Sequence, residues 1–205
     1  RDLGIDFDPS SWDELMRSGN VLAVDVGLVN ERTFLNNVAV GLYPRMLRQR
    51  ARLEGEKLLG SKRLASWWAT LQVMRQRVHT FTVHWEIDHK TGEFRTKALL
   101  VASNAYTGRP FAPLSREALN RRELVLFAPR SLRVRDIARM ASYALAGNIL
   151  DCPGLDTVSA RDIRLRLKAH HVTAAVDGEL VRLRSPISIR HHEQPFQAVV
   201  PEQAT

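Results

Sequence analysis

The chain has 205 residues, 44 % of them hydrophobic, which suffices for one domain, or a domain plus a linker arm, with a core of its own. No apolar run is long enough for a spanning helix and no charged segment leads into a signal-type apolar stretch, so a soluble, cytosolic chain is expected. Cys152 is the only cysteine, which excludes an internal disulfide, a cysteine zinc site and a redox pair.

The formal charge of +8 is carried mostly by arginine, the lysines being Lys57, Lys62, Lys90, Lys97 and Lys168. Arginine suits planar pairing with phosphate or carboxylate, so nucleic acid, an anionic membrane and a phosphorylated substrate are all candidate partners. The arginines are scattered and no nucleic-acid-reading signature accompanies them, which argues against nucleic acid. A basic solvated surface accounts for most of them.

In chain order, Arg1-Asp2-Leu3-Gly4-Ile5 opens without an initiator Met and reads as the start of a piece cut from a longer protein, residues 1–20 being a linker. Val21 to Val29 and Thr33 to Val40 read as two strands of a hairpin turning at Asn30-Glu31-Arg32. From Pro44 to about Val78 the pattern becomes helical, with a break near Leu59-Gly60-Ser61. Leu64, Trp67, Trp68 and Leu71 share one face there, and serve either as core anchors or as an interfacial segment with basic flanks.

The period then returns to two. His79 to Ile87, a turn at His89-Lys90-Thr91-Gly92, and Phe94 to Ser103 form the clearest hairpin. Gly108 to Pro113 is loop, Glu123 to Ala128 a strand, and Val134 to Leu145 a helix ended by Gly147. Short strands follow between Thr157 and Val176, then over Leu180 to Arg184, Ile187 to His191 and Phe196 to Val200. The predicted fold is mainly β within the α+β class, an antiparallel β-sandwich or open barrel with two helical insertions.

Two polar blocks interrupt apolar strands where packing alone asks for Val, Leu or Ile, and such exceptions tend to fall at sites. The first is Phe34-Leu35-Asn36-Asn37 with Gly41, the second Val176-Asp177-Gly178-Glu179. Asp177-Gly178 is a strong hairpin turn signal in its own right. Glu179 adds a second carboxylate at the same tip, where the pair can hold a hydroxyl proton or magnesium beside a phosphate. Asn36, Asn37 and Asn104 serve either to brace loops or to contact a ligand. Adjacent His170-His171 and His191-His192 point to opposite strand faces and cannot chelate one ion. No nucleotide loop, nucleophile elbow or zinc motif is present, so a self-sufficient catalytic set is absent and no metal ligands are assigned.

The ordered blocks Arg1-Asp2-Leu3-Gly4-Ile5, Val24-Asp25-Val26-Gly27, Phe34-Leu35-Asn36-Asn37 with Gly41, Ala102-Ser103-Asn104, Val176-Asp177-Gly178-Glu179, Pro186-Ile187-Ser188-Ile189 and Phe196-Gln197-Ala198-Val199-Val200-Pro201 resemble the C-terminal domain of the diacylglycerol kinase and sphingosine kinase-like lipid kinases. The resemblance implies a lipid-binding sandwich over residues 21–205, with a missing N-terminal domain that carries the nucleotide loop. It implies ATP and magnesium for the parent protein, a lipid substrate at an anionic membrane surface, and a fragment that is inactive alone. Under it Glu179 and Asp177 are catalytic, with Glu179 the general base for the lipid hydroxyl. Asn36, Asn37, Gly41, Asn104 and Gly178 line the cleft, and Trp67, Trp68 and Leu71 admit the lipid. Family members carry an Asp-Gly pair for a structural magnesium where this chain has Asn120-Arg121-Arg122, so that site is not expected; Arg109, Arg121 and Arg122 are expected to meet anionic headgroups instead. An exposed interdomain face makes self-association a further expectation. The alternative is a non-catalytic basic sandwich module that binds anionic membrane or nucleic acid. Convergence of Asn36 and Glu179 on one open edge supports the kinase; under this reading their placement on opposite faces is expected to defeat it.

Overall fold

In the computed structural model the residues described are 3, 12–55, 79–107, 115, 116 and 118–201. The first helix, α1 (Trp12–Ser18), leads into β1 (Asn20–Val24), β2 (Gly27–Val29), β3 (Arg32–Phe34) and β4 (Asn37–Gly41). The run read as one strand from Val21 to Val29 is therefore two, and so is that from Thr33 to Val40. Asp25 causes the first break. Its carboxylate cannot stay in an apolar ladder unpaired, and it accepts hydrogen bonds from the Arg122 amide at 2.6 Å and the Asn104 amide group at 3.1 Å.

After β4 comes α2 (Leu42–Gly55), which confirms the start of the predicted helical stretch. The rest of that stretch, with Trp67, Trp68 and Leu71, lies outside the described residues, as do Gly108 to Pro113. Next come β5 (Phe81–Ile87), β6 (Lys90–Thr96), β7 (Ala98–Ser103), β8 (Tyr106–Thr107), β9 (Ser115–Arg116) and β10 (Leu124–Pro129). The hairpin is present with a tighter turn than expected, Asp88 and His89 both taking positive φ. Phe94 to Ser103 splits because the Thr96 hydroxyl engages the carbonyls of Ala98 and Pro129 and accepts the Ala98 amide. The backbone there is satisfied locally, and the chain leaves one sheet for the other.

Helix α3 (Val134–Leu145) ends as predicted, with Gly147 at φ +84°. Asp136 in its first turn faces the positive end of the helix dipole, and a hydrogen bond from Ser131 holds its carboxyl below the usual range. The remaining strands are β11 (Leu155–Ala160), β12 (Asp162–Leu167), β13 (His171–Val176), β14 (Glu179–Arg184), β15 (Ile187–His191) and β16 (Phe196–Val200).

Two six-stranded antiparallel sheets result, ordered β11-β10-β7-β4-β13-β14 and β3-β2-β15-β12-β5-β6. They stack as a sandwich and neither closes into a barrel. Period-two alternation fills the space between them: Val38, Val101, Leu126 and Ala174 from the first sheet meet Val29, Val83, Ile163, Leu165 and Ile189 from the second. Full burial of each large aliphatic side chain stabilises the fold by about 1.5–3 kcal/mol. Phe34 closes one end of the core over Gly27, where any Cβ would fall on its ring. A smaller ribbon of β1 and β16 joins Leu119 and Leu3 in a separate cluster. Among the described residues no helix is long and apolar enough to cross a membrane.

Candidate functional site

Three segments distant in sequence meet at one end of the first sheet. The β13–β14 turn is Asp177-Gly178, with φ of 48° and 89°, the paired left-handed geometry that a two-residue hairpin needs. Strand β4 pairs with β13, with Val38 opposite Val176, so the bend before β4 lies beside this turn. The Asp177 carboxylate accepts three amide hydrogen bonds there, from Leu35 at 2.7 Å, Asn36 at 2.8 Å and Asn37 at 3.0 Å. The Asp177 amide donates back to the Asn37 carbonyl at 2.9 Å.

The other side of the bend is held equally firmly. The Tyr106 hydroxyl donates to Asn36 Oδ1 at 2.6 Å and accepts from Asn37 Nδ2 at 2.9 Å. The Ser103 amide donates to the Asn36 carbonyl, and Arg116 donates to the carbonyls of Leu35 and Ser103. Tyr106 and Arg116 were not among the predicted site residues. Their partners are fixed by sheet order, which local patterning does not report.

Both carboxylate oxygens of Asp177 are thus engaged by amides, which fixes the bend. Glu179 is exposed, and register places it opposite Val176, on the face of the sheet that turns toward the core. With Arg32, Thr33, Val176 and Val181 it borders a hollow of about 290 Å³. Asn37 has the other parity. It stands opposite Ala102, whose side chain packs with Val125, Phe127 and Tyr106 on the outer face. Asn36 and Asn37 therefore turn to Tyr106 on the outer side while Glu179 turns inward. The structure brings these residues to one end of the sheet but turns Asn36 and Glu179 to different faces, the arrangement set above against the kinase reading; Asn36 is taken up in bracing the bend, so that reading has the fold in its favour and not this pair.

Asn104 and Gly41 lie elsewhere. Asn104 is 1 % exposed at φ +67°, bonded through Nδ2 to Asp25, and its Oδ1 has no partner. Both ring nitrogens of His191 are buried in the same region without a well-aligned hydrogen bond, the Glu123 and Val26 carbonyls being close enough to favour the protonated ring. Burial pushes its pKa below the ordinary histidine value; Asp25 and the carbonyls of Glu123 and Val26 pull the other way, Arg122 with the burial. Gly41, at φ +92°, closes β4 at its far end from Asn37, where a Cβ would meet the Lys97 carbonyl. Gly178 differs, with open space around the missing side chain, so only its backbone angle demands glycine.

The described residues form no all-protein magnesium cage at this turn. Asp177 is spent on amides, Glu179 is a single carboxylate, and among the described residues no group of three His, Cys, Asp or Glu side chains comes together. Arg121 and Arg122 border a hollow with Asp88 and Arg161, while the Arg122 amide is tied to Asp25. Arg109 lies outside the described residues.

The sandwich shares its fold with solved structures of diacylglycerol kinase-like proteins. A diacylglycerol kinase from Bacillus anthracis str. Sterne superposes on all of this chain with a TM-score of 0.60 at 16 % identity, and the chain covers 63 % of it. A second Bacillus anthracis protein, proposed to be a diacylglycerol kinase, superposes on the whole chain with a TM-score of 0.69 at 19 % identity, the chain covering 65 % of its length. Yeast NADH kinase, solved with NADH, shares the fold more distantly, with a TM-score of 0.53 at 11 % identity over 98 % of this chain and 52 % of its own. The chain spans less than two thirds of these proteins. No protein-family model and no curated protein sequence matches it. The fold agrees with the resemblance read from the ordered sequence blocks, to the C-terminal domain of diacylglycerol kinase-like proteins.

Proposed function

We propose that this chain is the acceptor-side domain of an ATP- and magnesium-dependent lipid kinase, with Glu179 as the base that takes the proton of the lipid hydroxyl. One observation carries the reading: in a fold shared with diacylglycerol kinases, Glu179 stands exposed beside a turn made rigid by Asp177. Phosphoryl transfer asks of a protein mainly positioning and charge neutralisation, and a carboxylate on a fixed hairpin supplies the first. Asp177, Asn36 and Asn37 act through the turn, as positioning residues.

Nucleotide and magnesium are assigned to the part of the parent protein that this chain lacks, so transfer depends on the two parts closing together and the chain alone is inactive. The parent works from the cytoplasm at an anionic membrane surface. The region of Trp67, Trp68 and Leu71 stays the proposed point of lipid entry.

The test uses the parent protein: transfer of labelled phosphate from ATP to mixed lipid vesicles, wild type against Glu179→Gln. Loss of transfer by about 100-fold or more with the fold intact supports the assignment. A folded wild-type protein that phosphorylates no lipid removes it and leaves a basic binding module.

A further inference from the structure

A larger cleft lies at the opposite end of β4 and β13, away from the Asp177 turn. It encloses about 1080 Å³ between α2 and strands β5, β6, β12 and β13. Its floor is apolar, with Val40, Phe81, Leu167 and Val172, all of which also belong to or pack on the main core. Its wall is cationic: Arg45 and Arg48 from α2, Arg95 from β6, Arg166 from β12, and Lys168 just beyond. The one carboxylate in the lining, Glu93, is 3.5 Å from His84. Among the described residues none of the five cations has a carboxylate within ion-pair distance.

An ordinary solvated surface mixes the two signs. Five cations from four segments around one hollow repel one another and focus a positive potential into it, an arrangement that an anion relieves. Four of the five are arginines, whose planar donors pair with phosphate oxygens two at a time. A bare phosphate would leave both the volume and the apolar floor unused, since clefts of this size take drug-sized, largely apolar ligands. A wholly apolar ligand would leave the cations unrelieved.

We propose that this cleft binds an anionic amphiphile, with its chain on Val40, Phe81, Leu167 and Val172 and a phosphate-type headgroup among Arg45, Arg48, Arg95 and Arg166. It is separate from the site of Glu179. Val172 lies four strand positions before Val176, the residue paired with Glu179, or about 13 Å at 3.3 Å per residue. The headgroup bound in this cleft is therefore not the acceptor hydroxyl at that turn. The cleft's headgroup position lies apart from the turn, and its occupancy does not depend on what the turn does.

Calorimetric titration of the 205-residue chain at low salt tests this, with dodecyl phosphate below its micelle concentration, dodecyl maltoside and inorganic phosphate as separate ligands. Dodecyl phosphate is expected to bind at least about tenfold more tightly than either of the others. The triple variant Arg48→Gln, Arg95→Gln, Arg166→Gln is expected to lose at least about tenfold for dodecyl phosphate and nothing for the maltoside. Equal binding of inorganic phosphate overturns the proposal in favour of a plain anion site, and equal binding of the maltoside overturns it in favour of an apolar groove. Undiminished binding by the triple variant places the ligand elsewhere. Ring resonances of His84 and His171, both in the lining, give a readout on the wild type that does not depend on the variants folding; no shift on adding dodecyl phosphate overturns the proposal. None of these measurements involves phosphoryl transfer, so failure here and failure of the kinase reading are told apart.

Discussion

Asp177 and Asn36, 141 positions apart, are joined by a 2.8 Å hydrogen bond from the Asn36 amide to the Asp177 carboxylate, one of three that this carboxylate accepts from successive amides. Asp177, expected beside Glu179 in the catalytic set, thereby braces the bend, and its neighbour Glu179 is left exposed. Hydrogen bonds to a charged acceptor contribute about 1.5–3 kcal/mol when sheltered and less when exposed, as these are. Asp177→Ala is expected to cost about 2 kcal/mol, and Glu179→Ala less than about 0.5 kcal/mol. Urea denaturation of both variants decides; equal losses would show that the carboxylate does not hold the bend.

Gly178 separates backbone from packing. An added Cβ meets no atom within 4 Å, yet φ is +89°. Gly178→Ala should cost about 1 kcal/mol through backbone strain alone, and Gly178→Asn clearly less, since asparagine tolerates the left-handed region. A neutral alanine variant in thermal unfolding would mean that the turn relaxes to another geometry.

Tyr106 ties both asparagine side chains to the sheet. Tyr106→Phe keeps the ring on Phe127 and removes the hydroxyl, so a loss of about 1–2 kcal/mol is expected. In a double-mutant cycle with Asn37→Ala the two losses should fall short of additive by about 0.5 kcal/mol or more. Strict additivity would separate the two residues.

The fold was legible because two-residue alternation sorts inner from outer side chains in nearly every strand, from Val38 and Val40 to Ile187 and Ile189. The strand breaks were not, because each depends on a partner brought in by tertiary structure: Asp25 on Asn104 and Arg122, Thr96 on Pro129. The Asp-Gly turn announced itself through its own angles. The bracing by Tyr106 and Arg116 did not, since the order β7-β4-β13 decides what lies beside Asn36. The basic cleft was hidden for a related reason: its arginines come from separate elements and look scattered along the chain until α2, β6 and β12 surround one hollow.

His191 gives stability a pH dependence whose sign is fixed. Burial, the largest influence, lowers its pKa in the folded protein, with Arg122 acting in the same direction and Asp25 opposing. At a pH between the folded and unfolded pKa values the unfolded chain therefore binds a proton that the folded chain does not. Stability rises with pH in that window, with a slope of at most about 1.4 kcal/mol per pH unit from this group. The contribution is fully present above the ordinary histidine value and declines as the pH falls below it. His191→Phe removes the titrating group and keeps a ring of similar size in its place. Urea midpoints from about pH 8 to about pH 5 should fall for the wild type and change less for His191→Phe, the difference between the two curves opening only on the acid side. Parallel curves would mean that His191 titrates alike in the folded and unfolded chains, and a difference that widens toward alkaline pH would reverse the assigned direction.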